Sequence, residues 1–210
     1  MKTRAFKVLL ISLFFVACYP LLAAAASADD EVARIQKAYE HIKDIKGNFT
    51  QKSFIKDLKR TDAYKGRFFI KPPKMKWEYG GNKPQVIYVT GEDIIIYQKN
   101  EKQVFTAKFD RATYGQAPLA LLSGLGNVKK EFAVSANKGG LVLKPKKPMG
   151  NIAYIELIVS SGSFPIGGMT ITDNLANKIE ISLKDVQINT GIREKVFEFY
   201  PPEGVNILQQ

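Results

Sequence analysis

The chain has 210 residues, a formal net charge of +11 and a hydrophobic fraction of 45%, which suits one folded domain with a sizeable core and excludes a disordered or fibrous polymer. A single histidine and a single cysteine exclude a disulfide framework and leave no ligand set for zinc, iron or copper, so no cofactor and no metal is expected. The chain has no G-x-S-x-G elbow, Walker loop or H-E-x-x-H pattern, and its carboxylates form no recognisable catalytic pair, so an enzyme is not expected.

Residues 1–28 read as a cleaved secretory leader. Lys2, Arg4 and Lys7 make a positive start, an apolar run extends from Val8 to about Ala26, and Ala26-Ser27-Ala28 supplies an A-x-A cleavage site before Asp29. Tyr19, Pro20 and the small residues near that site favour removal over a permanent anchor. Phe15-Val16-Ala17-Cys18 is a partial lipoprotein box, but the apolar sequence after Cys18 is unlike the polar tether an acylated cysteine takes. Removal after Ala28 leaves a single domain, 29–210, without cysteine. It lowers the net charge to +8, because Lys2, Arg4 and Lys7 depart with the leader. For an exported chain, nucleic acid is not an expected partner, and lysines spread along strand faces serve solubility.

The spacing of Val32, Ile35, Tyr39, Ile42 and Ile45 predicts a helix over 30–46, capped by Asp29 or Asp30 and stopped at Gly47. His41 lies off that stripe, on a solvated surface. From Asn48 to Phe109 the pattern is strand-like, with turn signals at Gly66, Pro72-Pro73, Gly80-Gly81-Asn82 and Gly91-Glu92-Asp93. Ile94-Ile95-Ile96-Tyr97 is apolar on both faces, as a strand covered on both sides would be.

Residues 111–131 interrupt the strands. Ala117-Pro118-Leu119-Ala120-Leu121-Leu122-Ser123-Gly124 reads as a short helix opened by proline and closed by glycine. Its leucines must be buried somewhere, and covering the open side of a curved sheet would do it. Strands resume at 141–143, 152–159 and 179–188, where a phase slip near Asp185 predicts a bulge. The order of elements predicts a curved antiparallel sheet closed over by helices, without repeats or linkers.

Two segments stand out. Met75, Trp77 and Tyr79 alternate with Lys74, Lys76 and Glu78, giving one apolar and one wet face, and Phe197-Glu198-Phe199-Tyr200-Pro201-Pro202 has the same look near the C-terminus. Together with Asn48-Phe49-Thr50-Gln51, Phe68-Phe69-Ile70-Lys71-Pro72, Asp93–Tyr97 with Gln103-Val104, the Pro118–Leu122 segment and Asp173–Asn177 with Asp185-Val186, they form an ordered set that resembles the periplasmic outer-membrane lipoprotein carrier family (LolA) over nearly the whole exported chain.

The resemblance implies a mainly β fold: an unclosed, strongly curved antiparallel β-barrel of about ten or eleven strands, with an N-terminal helix and a helical lid over an apolar cavity. It implies a periplasmic chaperone, a monomer, that takes acylated lipoproteins from an inner-membrane ABC-type exporter to an outer-membrane receptor lipoprotein. Phe49, Phe69, Met75, Trp77, Tyr79, Ile95, Tyr97, Phe197 and Phe199 are then assigned to the lipid-binding cavity, and Leu119, Leu121 and Leu122 to the lid. The family often latches its lid with an arginine before the first proline. Lys71 stands there, keeping the charge without the guanidinium fork. Two other readings share the fold: a receptor anchored through Cys18, and an envelope-stress sensor domain.

Overall fold

The computed structural model describes residues 27–110, 122 and 128–209. Its elements in chain order are α1 (Ala28–Glu40), β1 (Ile45–Ile55), β2 (Arg60–Lys71), β3 (Lys74–Tyr79), β4 (Gln85–Thr90), β5 (Asp93–Gln98), β6 (Gln103–Lys108), α2 (Val128–Glu131), β7 (Phe132–Asn137), β8 (Gly140–Pro145), β9 (Ile152–Val159), β10 (Ile166–Asp173), β11 (Lys178–Ile188), a 3-10 turn (Glu194–Phe197) and β12 (Asn206–Gln209). All twelve strands join one sheet in the order β12-β6-β5-β4-β3-β2-β1-β11-β10-β9-β8-β7. Neighbours run antiparallel except β12, which lies parallel to β6. Because β12 and β7 each have one neighbour only, the curved sheet stays unclosed.

Helix α1 begins with a capping box. The Ser27 hydroxyl accepts from the Asp30 amide at 3.1 Å, and the Asp30 carboxylate accepts from the Ser27 amide at 3.3 Å. Val32 and Ile35 are fully buried, and the helix rests on β7 and β8. It stops at Glu40, short of the 46 that the apolar spacing predicts. Ile45 fits that spacing equally well as a strand residue, because Phe49 follows four positions on in either period. Gly47 is accordingly a residue of β1 and not a helix stop.

Gly66 is likewise no turn. It sits inside β2 opposite Tyr79, where an added Cβ would come within 1.8 Å of the Glu78 carbonyl oxygen. The predicted bulge at Asp185 is present: the β1–β11 register shifts between Lys46 and Asn48, Asp185 has φ +52°, and its carboxylate accepts from the Asn48 side-chain Nδ2 at 2.8 Å. The twelfth strand exceeds the expected ten or eleven because the segment after β11 does not read as expected. Phe197 closes a 3-10 turn, residues 198–200 are extended without pairing, and β12 begins beyond the prolines.

The main core lies on the face that α1 covers, called inner here. Val32 and Ile35 of the helix pack in one cluster with Phe49, Phe68, Met75, Trp77, Leu141, Ile155, Met169 and Ile181 of the sheet. Val86, Tyr88, Val104, Ile192 and Phe197 are also buried but stand apart from that cluster. Val86, Tyr88 and Val104 alternate with inner residues along β4 and β6, so they mark a smaller core on the outer face.

Candidate functional site

Strand register fixes which residues share the inner face. Ile45 pairs with Ile70, Ile70 with Met75, and Met75 with Val89, which pairs with Ile94. The next inner row runs Gly47, Phe68, Trp77, Ile87, Ile96 and Phe105, and the one after it Phe49, Gly66, Tyr79, Gln85, Gln98 and Gln103. Each of these two rows begins with an aromatic ring set against a glycine. A Cβ on Gly47 would lie 2.9 Å from Phe68, and one on Gly66 would lie 2.8 Å from Phe49. The missing side chains give both rings room to lie down on the sheet.

Those rings meet Trp77. Its ring centroid is 4.3 Å from Phe49 and 5.2 Å from Phe68, and Phe49 meets Tyr79 edge-on at 5.0 Å. Phe49, Met75 and Trp77 are each 1% exposed and Phe68 is fully buried. The structure therefore brings together four of the predicted residues, Phe49, Met75, Trp77 and Tyr79, on one apolar floor.

Toward the far end of β1–β6 this floor turns polar. The Tyr79 hydroxyl donates to Gln51 Oε1 at 2.8 Å, and Gln51 Nε2 donates to Ser53 at 3.0 Å. Burial pushes the Tyr79 phenol well above its usual range, so it stays a neutral donor. A cleft of about 330 Å³ opens here, lined by Gln51, Ser53, Tyr64, Tyr79, Gln85 and Gln98, with Lys83 and Glu101 at its rim. A wider depression of about 860 Å³ adjoins it along Tyr64, Lys65 and Gly80–Lys83.

The other predicted residues lie elsewhere. Phe69 alternates with inner Phe68 and Ile70, so it points to the outer face with Arg67 and Lys71. Ile95 and Tyr97 face outward in the same way, opposite Tyr88 and Val86. Phe199 packs against that side, its ring 5.3 Å from Tyr88 and 5.7 Å from Tyr97. Phe197, 2% exposed, sits in the turn that touches β3 and β4. The C-terminal segment thus covers the outer face and does not line the floor beside Trp77.

Lys71 belongs to this outer assembly. Its ammonium donates to the Ile192 carbonyl at 3.2 Å and pairs with Glu194 at 2.6 Å, and Lys74 reaches the same carboxylate at 3.0 Å. It does hold a backbone carbonyl, as a latch would, but the carbonyl belongs to the C-terminal segment. Asp44 anchors the same segment from below: it is 3% exposed and accepts from the amides of Thr190 (2.8 Å), Gly191 (2.9 Å) and Ile192 (3.3 Å) and from the Thr190 hydroxyl (3.0 Å). Burial works to raise its pKa, but these bonds outweigh burial and hold the carboxyl below the ordinary range.

Of the predicted lid, Leu119 and Leu121 lie outside the described residues. Leu122 is fully buried in the inner core, and its carbonyl accepts from the Tyr39 hydroxyl at 3.3 Å. Phe68 and the polar inner residues were missed from sequence. The signal for Phe68 was present: Lys65, Arg67 and Lys71 share the parity of Phe69, which assigns Phe69 to the charged side and Phe68 to the core.

Residues 40–200 match the family model for "Outer membrane lipoprotein carrier protein LolA". The outer-membrane lipoprotein carrier protein of Alkalilimnicola ehrlichii is 28% identical, over 98% of this chain and 94% of its own length. That of Pseudomonas aeruginosa PAO1 is also 28% identical, over 96% of this chain and 99% of its own. An uncharacterized conserved protein from Thermus thermophilus superposes with a TM-score of 0.53 at 12% identity, covering 87% of this chain and 99% of that one, a likeness of fold.

Proposed function

The chain belongs to the outer membrane lipoprotein carrier family LolA, and we propose that it is a periplasmic chaperone that binds the acyl chains of lipoproteins released from the inner membrane and delivers them to the outer membrane. The observation that carries the reading is the inner floor of Phe49, Phe68, Met75 and Trp77, which runs across β1–β3 and is shut off from water. Holding acyl chains in water costs about 0.8 kcal/mol per exposed methylene, so a soluble carrier must offer a comparable apolar surface. An unclosed sheet meets that need because its two free edges let the inner face widen without breaking a strand pair.

In this proposal the segment around Leu119–Leu122 is the cover of that floor, an ABC-type exporter supplies the cargo and a receptor lipoprotein accepts it. Residues 1–28 leave on export. That step removes Ser27, the cap of α1, and passes its role to the carboxylates of Asp29, Asp30 and Glu31 in the first turn.

The test is a release assay. Inner-membrane vesicles bearing newly acylated lipoprotein and a working exporter are incubated with the processed protein. Lipoprotein recovered in the soluble fraction as a complex with it is the expected result. Lipoprotein that stays in the membrane, while a control carrier releases it, overturns the reading.

A further inference from the structure

Beside the apolar floor the inner face carries a row of uncharged amides. Gln85 on β4 pairs with Gln98 on β5, Gln98 with Gln103 on β6, and Gln103 with Asn206 on β12, while Tyr79 pairs with Gln85 at the head of the row. Neighbouring strands are about 4.8 Å apart, so the row offers an amide at each such step, each with two donors and an acceptor.

Gln51 is engaged with Tyr79 and Ser53, whereas among the described residues no side-chain hydrogen bond engages the amides of Gln85, Gln98 or Gln103. The outer side of the same strands is apolar at this level, where Val86, Tyr97 and Val104 pair, so the amides form the polar side of β4–β6. No residue in the row itself carries a charge. Lys83 and Glu101, at the rim of the cleft, are of opposite sign.

We propose that this amide row is a subsite for the neutral ester and amide carbonyls that join acyl chains to the head of a lipidated polypeptide. The proposal rests on the acyl-carrier reading and names the part of the cargo which that reading leaves unassigned. The row of Phe68, Trp77, Ile87, Ile96 and Phe105 lies two residues along the strands, about 7 Å away. A chain lying on those residues ends with its carbonyl over the amides. A phosphate or carboxylate head would call for arginine or lysine in place of glutamine. Neutral carbonyls and N–H groups are matched by groups that both donate and accept without charge.

The experiment uses the processed protein and three probes read by the fluorescence of Trp77, the single tryptophan. Decane has neither linkage, dipalmitoylglycerol has esters only, and a tripalmitoyl-cysteinyl peptide has both. Gln98→Leu is expected to weaken the lipopeptide about fivefold and the double variant with Gln85→Leu about twentyfold, with decane affinity unchanged. Gln98→Asn, which keeps the amide, is expected to stay near the wild type. Equal weakening of dipalmitoylglycerol assigns the esters as the recognised group, and weakening of the lipopeptide alone assigns the amides. Unchanged lipopeptide affinity in the double variant, while wild type binds decane, overturns the amide subsite and leaves the carrier reading standing. Wild type that binds neither decane nor lipopeptide overturns both. Equal losses in the leucine and asparagine variants, decane included, overturn the subsite as a disturbance of the fold.

Discussion

Truncating Phe49 to alanine tests the apolar floor directly. The ring is 1% exposed, lies 4.3 Å from Trp77 and 5.0 Å from Tyr79, and faces Gly66 across the β1–β2 pair. A buried Phe→Ala change costs about 3–5 kcal/mol, the spread reflecting how far neighbours collapse into the space. Here the flanking inner positions Gly47 and Gly66 have no side chains to move in, so a loss of about 4 kcal/mol is expected. A domain of this size shifts about 2–4 °C per kcal/mol, which gives a fall in Tm of about 12 °C. The variant should still fold, because domain stabilities run about 5–15 kcal/mol. Urea and thermal unfolding followed through Trp77 give the number. The vacated space is apolar and adjoins the proposed acyl site, so decanoate should raise the Tm of the variant by more than that of wild type. A loss below about 1 kcal/mol would refute the packing argument. An equal gain in both proteins would refute the idea that an acyl chain enters where the ring has left.

Three further outcomes follow from the supporting structure. Asp44→Ala leaves the amides of Thr190, Gly191 and Ile192 without their acceptor and should cost about 3 kcal/mol in urea unfolding. Its folded pKa lies below the unfolded value of about 4, so its contribution is full above that pH and is lost as the pH falls through the folded value; the variant should flatten this acid limb. Gly66→Ala drives a Cβ into the Glu78 carbonyl and should lose more than about 3 kcal/mol or fail to fold, whereas Gly81→Ala, at φ +88° in open space, should cost about 1 kcal/mol by thermal unfolding. Lys71→Met should speed amide exchange across residues 192–200 about fivefold while leaving the inner face as protected as before.

What could be read from the chain divides along a physical line. Alternation tells which residues of one strand share a face, and it paired Met75, Trp77 and Tyr79 correctly because Lys74, Lys76 and Glu78 label the wet side. It fails where both faces are covered, since nothing polar then labels either side. Ile94-Ile95-Ile96-Tyr97 is that case: Ile94 and Ile96 belong to the inner face, while Ile95 and Tyr97 face the outer side, where Phe199 packs on Tyr97. The covering segment comes from some hundred positions away, and its contacts obey no local period. The same blindness affects Phe197 and Phe199, whose apolar character announces burial but not the surface they bury. The amides of Gln85, Gln98 and Gln103 were hidden for the opposite reason. Each looks like an ordinary polar strand residue until register places the three side by side. A sheet of this kind is therefore two structures on one backbone. Its outer face is fixed by ion pairs and a C-terminal strap, and its inner face holds a floor whose aromatic rings lie against glycines.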